Sequence, residues 1–291
     1  MNAPKSVSIV IPAFNEQGTI DAVLSEISDY IAKRPEIAWE VIVVNDASSD
    51  STAQHVVKWE NVRLIQHPLN RGYGASLKAG IRAAKGDFVL TMDADGQHMA
   101  EEIDRMLPEA QDYDMTVGAR DISTSPALRR PGKRLLNFLA RYLLNEVIPD
   151  VNSGLRLMRR STILPYLALC SDRFSFSLSS TMALVSEGHF VRFVPIASRS
   201  RQGNKSFVKL SSGIAAVLMI IRSSLIFHPL RVFLPFSAFF GAIFAVSFFL
   251  DLLQNNVSKS TLALLVLTAN LLLAGFLADQ IARVRRSLSQ K

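Results

Sequence analysis

Two carboxylates one residue apart, Asp93 and Asp95 in Asp93-Ala94-Asp95-Gly96-Gln97-His98, follow directly on the apolar run Phe88–Met92. Past the end of a strand, residues i and i+2 leave the same side, so the two acids build a dense negative site. Such a site is unfavourable unless a cation fills it, and Mg2+ or Mn2+ suits carboxylates shared with substrate phosphates. A cation there offsets the charge that builds on a leaving diphosphate. An isolated Asp-x-Asp reads more readily as a solvated acidic loop. Its place after the fourth strand of an alternating pattern favours the metal.

Two further strand ends carry polar residues. Pro12-Ala13-Phe14-Asn15-Glu16 follows the run Val7–Pro12, and Asn45-Asp46-Ala47-Ser48-Ser49-Asp50-Ser51-Thr52 follows Glu40–Asn45. Asp46 is placed to accept hydrogen bonds from a nucleobase or ribose. Asp50, Ser51 and Thr52 read better as the N-cap region of a helix. Basic residues cluster at Arg129 to Arg141, Arg199 to Lys205 and Arg283 to Arg286.

The elements that must hold these residues alternate in type. Val7–Pro12, Glu40–Asn45, Val62–Gln66, Phe88–Met92 and Met115–Gly118 are short apolar runs rich in β-branched residues, as buried parallel strands are. Thr19–Ala32, Ser51–Trp59 and Gly74–Ala84 are amphipathic stretches between them. This rhythm predicts an α/β domain, a mostly parallel sheet covered by helices on both faces. Ligands of such sheets bind beyond the carboxyl ends of the strands, where the polar residues fall.

After Ser206 the pattern changes. Val208 to Phe227, interrupted by Lys209 and Arg222, reads as interfacial helices. Val232 to Leu250 and Ser260 to Ala278 are uncharged runs, each close to the about 20 residues that span a bilayer core. Arg222 and Arg231 precede the pair, and Arg283, Arg285 and Arg286 follow it. The positive-inside rule then leaves only Gln254–Lys259 outside and both termini, with the α/β domain, in the cytoplasm. The expected organisation is a catalytic domain at 1–206, juxtamembrane helices at 207–228 and a two-helix anchor with a basic tail at 229–291. The net charge of +7 over 291 residues fits an anionic membrane or phosphate-bearing substrates. No zinc-finger spacing or aromatic–basic RNA-binding signature supports nucleic acid. The first apolar run, Val7 to Ile11, is too short for a signal peptide, and a single cysteine, Cys170, excludes an intramolecular disulfide.

Four motifs in order, Ile9 to Glu16, Val43 to Thr52, Asn70-Arg71-Gly72-Tyr73-Gly74 and Asp93 to Gln97, make the chain resemble the family 2 glycosyltransferases, inverting enzymes with the Rossmann-like GT-A fold. With its two C-terminal apolar runs it further resembles the polyisoprenyl-phosphate glycosyltransferases, among them dolichol-phosphate mannose synthases and bacterial undecaprenyl-phosphate glucosyltransferases. The resemblance implies that Pro12, Ala13, Asn15, Glu16 and Asp46 line a nucleotide pocket. It implies that Asp93 holds the ribose and nearby phosphate, and that Asp95 and Gln97 ligate Mg2+ or Mn2+. Asn45 stands where the family often has a second Asp. Arg120 and Arg134 fall where relatives bind the lipid phosphate, a role that guanidinium forks suit. Arg201-Gln202-Gly203-Asn204-Lys205-Ser206 resembles the loop that closes over the diphosphate, with Arg201 and Lys205 as phosphate ligands and the last pair of the usual motif reversed.

A lipid phosphate is already an anion, so it attacks an anomeric carbon without a general base. Catalysis by Asp95, Arg120, Arg134 and Arg201 then amounts to positioning and charge stabilisation. The donor is a UDP-hexose or GDP-mannose, with UDP favoured, and the acceptor undecaprenyl or dolichyl phosphate. The alternative acceptor is a diacylglycerol or other lipid hydroxyl, which requires a base. A processive polysaccharide synthase lacks support, because Trp39 and Trp59 are the only tryptophans and neither belongs to a Gln-x-x-Arg-Trp motif. Paired spanning helices often associate, which leaves a homo-oligomer open.

Overall fold

Runs of Val, Ile and Leu that alternate with helices need apolar cover on both faces. In a computed structural model, which describes residues 4–120, 142, 149–150, 153–173, 176–199, 221 and 224–289, they find it. Strand β1 (Ser6–Ala13) is buried along nearly all its length, between β2 (Ala38–Asn45) and the later β4 (Phe88–Thr91), both parallel to it. β3 (Val62–Gln66) continues the parallel array beyond β2. The connecting helices are α1 (Ile20–Ala32), α2 (Thr52–Val57) and α3 (Tyr73–Ala83). α1 turns Ile20, Val23, Leu24, Ile27 and Tyr30 inward, the i, i+3, i+4, i+7 stripe of an amphipathic helix. Gly80 of α3 lies so close to β1 that a Cβ there would meet Val10 at 2.2 Å.

The sheet has seven strands in the order β3-β2-β1-β4-β6-β5-β7. All five expected runs are strands, β5 being Met115–Arg120. Two strands were not expected from sequence, β6 (Arg156–Arg159) and β7 (Val191–Ile196). β6 lies antiparallel to both β4 and β5, and β7 pairs parallel with β5. An antiparallel strand begins at the edge where its parallel neighbour ends, so Ser153 and Gly154, just ahead of β6, arrive beside the residues that follow β4. A short helix α4 (Arg160–Ile163) and the almost wholly buried α5 (Phe176–Ser186) separate β6 from β7. Between these helices Cys170 is 4% exposed; burial pushes its thiol up to about 12, and Sγ donates to the Tyr166 carbonyl at 3.3 Å.

The chain divides into two compact units, Met1–Arg134 with Ile148–Ser212, and Leu135–Val147 with Gly213–Lys291. The sheet belongs to the first. The second contains α6 (Pro229–Leu253) and α7 (Lys259–Ser289), which pack on each other. The Ser237 hydroxyl donates to the Thr268 carbonyl at 3.3 Å, and Gly275 gives Phe233 room that a Cβ would take at 2.8 Å. Pro229–Leu253 and Lys259–Arg285 are long and apolar enough to cross a membrane, and only 6% and 11% of their most apolar stretches are buried. A core helix of a soluble domain hides such surface, whereas here Phe236, Phe239, Val246, Phe249 and Leu265 are exposed. The two helices are candidate transmembrane spans, extending the runs expected at Val232 to Leu250 and Ser260 to Ala278. Arg134, Arg201, Lys205 and most of the expected 207–228 segment lie outside the described residues.

Candidate active site

The carboxyl ends of β1 and β2 carry loops that hold each other. Asn15 sits at φ 56° and Ala47 at φ 58°, a backbone region that asparagine tolerates better than most residues. The Asn15 Oδ1 accepts from the Ser49 amide at 2.9 Å, while its own amide donates to Ser48 Oγ at 3.0 Å. The Glu16 amide donates to Thr52 Oγ1 at 2.9 Å. Asn45 is buried, and its side-chain oxygen accepts from the Ser48 amide at 3.3 Å, closing the turn. Asp50 accepts from the Thr52 amide at 3.0 Å, the local helix-start role its sequence suggested.

Asp46 reaches across to the next loop. Its Oδ1 accepts from the Arg71 amide at 2.9 Å and lies 2.7 Å from His67 Nδ1, and its Oδ2 accepts from the Gly72 amide at 2.8 Å. Burial opposes its ionisation, but these donors outweigh it and hold the carboxyl below the usual range. Gly72 is at φ 99°, and a Cβ on Gly74 would meet the Ser171 carbonyl at 2.1 Å. The loop therefore lies flat against residues 171–173, where the Ala75 amide donates to the Asp172 carbonyl at 2.8 Å and buried Lys78 pairs with Asp172 at 2.7 Å. The path of residues 70–74 sets where Tyr73 stands.

Tyr73 stands over the acidic pair. Its hydroxyl donates to Asp93 Oδ1 at 2.8 Å, and His98 Nε2 lies 3.5 Å from Asp93 Oδ2. Removal from water, then the Asp93 charge, raises the Tyr73 phenol well above its ordinary value, so it stays a donor. Burial opposes ionisation of Asp93; His98, Tyr73 and the Arg120 charge together hold its carboxyl below the usual range. Gly154 closes the other side, because a Cβ there would fall 2.3 Å from Asp93 Oδ2. Asp95 is 9% exposed, and its Oδ1 accepts from the Gln97 amide at 3.1 Å. Both acids border a cavity of about 360 Å3 whose opposite wall includes Pro12, Ala13, Glu16 and Asp46. Tyr73 and Ser177 complete the wall near Asp93, a contribution from α3 and α5 that the motifs did not reveal.

Other expected residues have different surroundings. Asn15 lies in the loop seam, and neither Gln97 nor Arg120 belongs to the cavity wall. Arg120 forms a two-point pair with Asp150, Nε to Oδ2 at 2.7 Å and Nη2 to Oδ1 at 3.3 Å. That pairing raises its already high pKa against the opposing effect of burial. Asp150 thus aims the guanidinium, a role that sequence alone did not suggest. Arg156 is 1% exposed and donates to the Ser153 carbonyl at 2.8 Å and Thr181 Oγ1 at 2.8 Å. Its Nη2 has no hydrogen-bond partner among the described residues, and burial pushes the guanidinium down to about 10. The Arg199 amide donates to the Gln97 carbonyl at 2.9 Å, tying the end of the segment after β7 to the acidic turn.

Hard carboxylate oxygens in the wall of the cavity suit Mg2+ or Mn2+ better than a softer metal. Among the described residues no group of three His, Cys, Asp or Glu side chains is arranged to hold an ion. A cation here would take one or two protein carboxylates and draw its other ligands from substrate phosphates and water.

Comparison with known proteins places this geometry. Residues 8–164, over half the chain, match the Glycosyl transferase family 2 profile. An uncharacterized protein of Methanocaldococcus jannaschii is 30% identical over 201 residues, 65% of this chain and 80% of that one. The undecaprenyl-phosphate 4-deoxy-4-formamido-L-arabinose transferase of Salmonella choleraesuis is 31% identical over 178 residues, 59% of this chain. The match spans 54%, about half, of that transferase's length. In structure, glucosyl-3-phosphoglycerate synthase from Mycobacterium tuberculosis, solved with Mn2+, UDP and phosphoglyceric acid, superposes with a TM-score of 0.61 at 17% identity, covering 76% of this chain and 78% of the other. That likeness concerns the fold. The order of its motifs, the profile match over the sheet and the shared architecture agree: the chain is a glycosyltransferase of family 2 with the GT-A fold.

Proposed function

We propose that the enzyme transfers a hexose from a nucleotide-sugar, UDP-linked by preference or GDP-linked, to a polyisoprenyl phosphate at the cytoplasmic membrane face, with inversion. The observation that carries this reading is the Asp93–Asp95 pair, fixed in the wall of a cavity of about 360 Å3, in a chain that also bears two exposed apolar helices. The Salmonella relatives are named for undecaprenyl phosphate, and the Mycobacterium neighbours for UDP and Mn2+, which supports acceptor, donor class and cation together. On this reading 1–206 is the catalytic domain, 207–228 lies at the interface and 229–291 is the anchor.

The roles follow from chemistry. Pro12, Ala13, Asn15, Glu16 and Asp46 shape the nucleotide end, Asn15 by holding the loop. Asp93 faces the ribose and nearby phosphate, and Asp95 with Gln97 would hold Mg2+ or Mn2+. The bound cation would supply positive charge to the leaving diphosphate. Arg120, Arg134, Arg201 and Lys205 supply the remaining charge, and the acceptor phosphate needs no base because it is already ionised.

Purified enzyme offered undecaprenyl phosphate or diacylglycerol should glycosylate only the phosphate, and Arg134→Ala should chiefly raise the KM for that lipid. Preference for diacylglycerol would overturn the acceptor assignment. The donor panel is UDP-glucose, UDP-GlcNAc, UDP-galactose, GDP-mannose and a nucleotide-linked 4-deoxy-4-formamido-L-arabinose. Turnover of the last alone would replace hexose by the pentose named for the relatives.

Tyr73→Phe is expected to cost about tenfold or more in kcat/KM for the donor, since a hydrogen bond to a charged group contributes about 1.5–3 kcal/mol. The ring stays to fill its site, so the variant should still fold, with a melting temperature lowered by the loss of the same bond. Wild-type donor kinetics in this variant would remove Tyr73 from the site.

A further inference from the structure

A second cavity, of about 500 Å3, opens at the opposite edge of the same sheet. Pro4 and Lys5 precede β1, and Lys85, Gly86 and Asp87 precede β4. β6 runs the other way, with Arg159 opposite Phe88, so Arg159 and Arg160 emerge at this edge too. The eight residues of β1 separate the two cavities, about 25 Å at 3.3 Å per residue. This cavity is therefore no extension of the candidate active site.

Its wall gathers four cations, Lys5, Lys85, Arg159 and Arg160, against one carboxylate, Asp87, which already accepts from the Ser6 hydroxyl at 2.8 Å. Arg159 is partly engaged, stacked over Phe88 at 4.8 Å, 3.7 Å from Asp114 and bonded to the Ala110 carbonyl at 3.2 Å. Lys5, Lys85 and Arg160 form no ion pair among the described residues, and Arg160 Nε is buried there without a hydrogen-bond partner. Like charges held around one concavity repel, and a multiply charged anion relieves this. Guanidinium groups favour phosphate oxygens, and the volume suits a small-molecule ligand.

We propose that this cavity is a binding site for a phosphate-bearing anion, separate from the site of sugar transfer. The inference does not depend on the donor or acceptor assigned above. The test is a calorimetric titration of pyrophosphate into the full chain in phosphatidylcholine nanodiscs, at low salt with EDTA present to remove any divalent cation. Wild type and Asp95→Asn should bind alike, with saturation. Lys85→Glu combined with Arg160→Glu should bind at least about tenfold more weakly, because two attractive charges become repulsive, while sugar transfer under standard conditions is kept. If that variant folds poorly, Lys85→Gln with Arg160→Gln should weaken binding in the same direction, and pyrophosphate should protect residues 85–88 and 159–161 of the wild type from hydrogen exchange. Absence of saturable binding, unchanged affinity in the charge variants, or loss of binding in Asp95→Asn would each overturn the proposal. Replacing part of the phosphatidylcholine with phosphatidylglycerol assigns the source. Competition identifies a lipid headgroup, and unchanged binding identifies a free phosphate compound.

Discussion

Asp95→Asn is expected to lower sugar transfer by about a thousandfold or more, equivalent to about 4 kcal/mol of barrier, while leaving the fold intact. Asparagine has the same shape, and its side-chain oxygen keeps the acceptor that meets the Gln97 amide at 3.1 Å. What disappears is the negative charge beside Asp93 in the cavity wall. Without it, a cation at this site would lose its main protein attraction, and the charge of the leaving diphosphate would go unbalanced. Removing one of two neighbouring acids also relieves repulsion, so the melting temperature should hold or rise slightly. The check is single-turnover transfer at saturating Mg2+ or Mn2+, together with thermal unfolding. Wild-type turnover in this variant would show that the acidic turn does not hold the cation.

Gly154→Ala should be nearly as damaging, about a hundredfold in kcat/KM, the scale seen when one preorganised electrostatic contact is lost. The reason is steric. Gly154 is not among the residues at positive φ, so its backbone accepts alanine. The added Cβ, however, would come within 2.3 Å of Asp93 Oδ2 and 2.6 Å of both Cγ and Oδ1. The main chain is ill placed to retreat, because the Gly154 carbonyl accepts from Thr91 Oγ1 at 2.7 Å at the head of β6. Asp93 must then give way, leaving Tyr73 and the neighbouring His98. Circular dichroism should stay native while the KM for the donor rises. Unaltered kinetics would mean that the position of Asp93 is unimportant to the reaction.

Much of this was legible in the sequence, for reasons that also explain the gaps. β1 to β5 announced themselves because a strand covered on both faces must be apolar at successive positions. β6 escaped notice because it has four residues and begins and ends on arginine, and Arg156 is accommodated only by a carbonyl and hydroxyls brought in by the fold. β7 contains Pro195, which a central strand does not tolerate but this strand at the end of the order does. α5 is buried nearly all round, so it shows no apolar stripe from which to read a helix. Asp93 and Asp95 could be found by looking just after a parallel strand. Asp150-Val151-Asn152-Ser153-Gly154, followed by Arg156, matches a further motif of the family that implies close backbone approach to substrate at Gly154. Which residue Gly154 crowds was hidden, because the segment precedes a strand and only the antiparallel course of β6 takes it to that edge. Tyr73 lay in one of the four ordered motifs, yet its bond to Asp93 crosses twenty residues and depends on how Asp46 and Asp172 seat the intervening loop.

The burial of Cys170 has a practical consequence. A thiol reacts with maleimides and iodoacetamides through its thiolate, and a cysteine enclosed by protein and pushed to about 12 offers almost none at neutral pH. As the sole cysteine in the sequence it leaves the native protein close to silent towards such reagents. A fluorophore or spin label placed on one introduced surface cysteine would then report from that position alone, without first mutating the wild-type background.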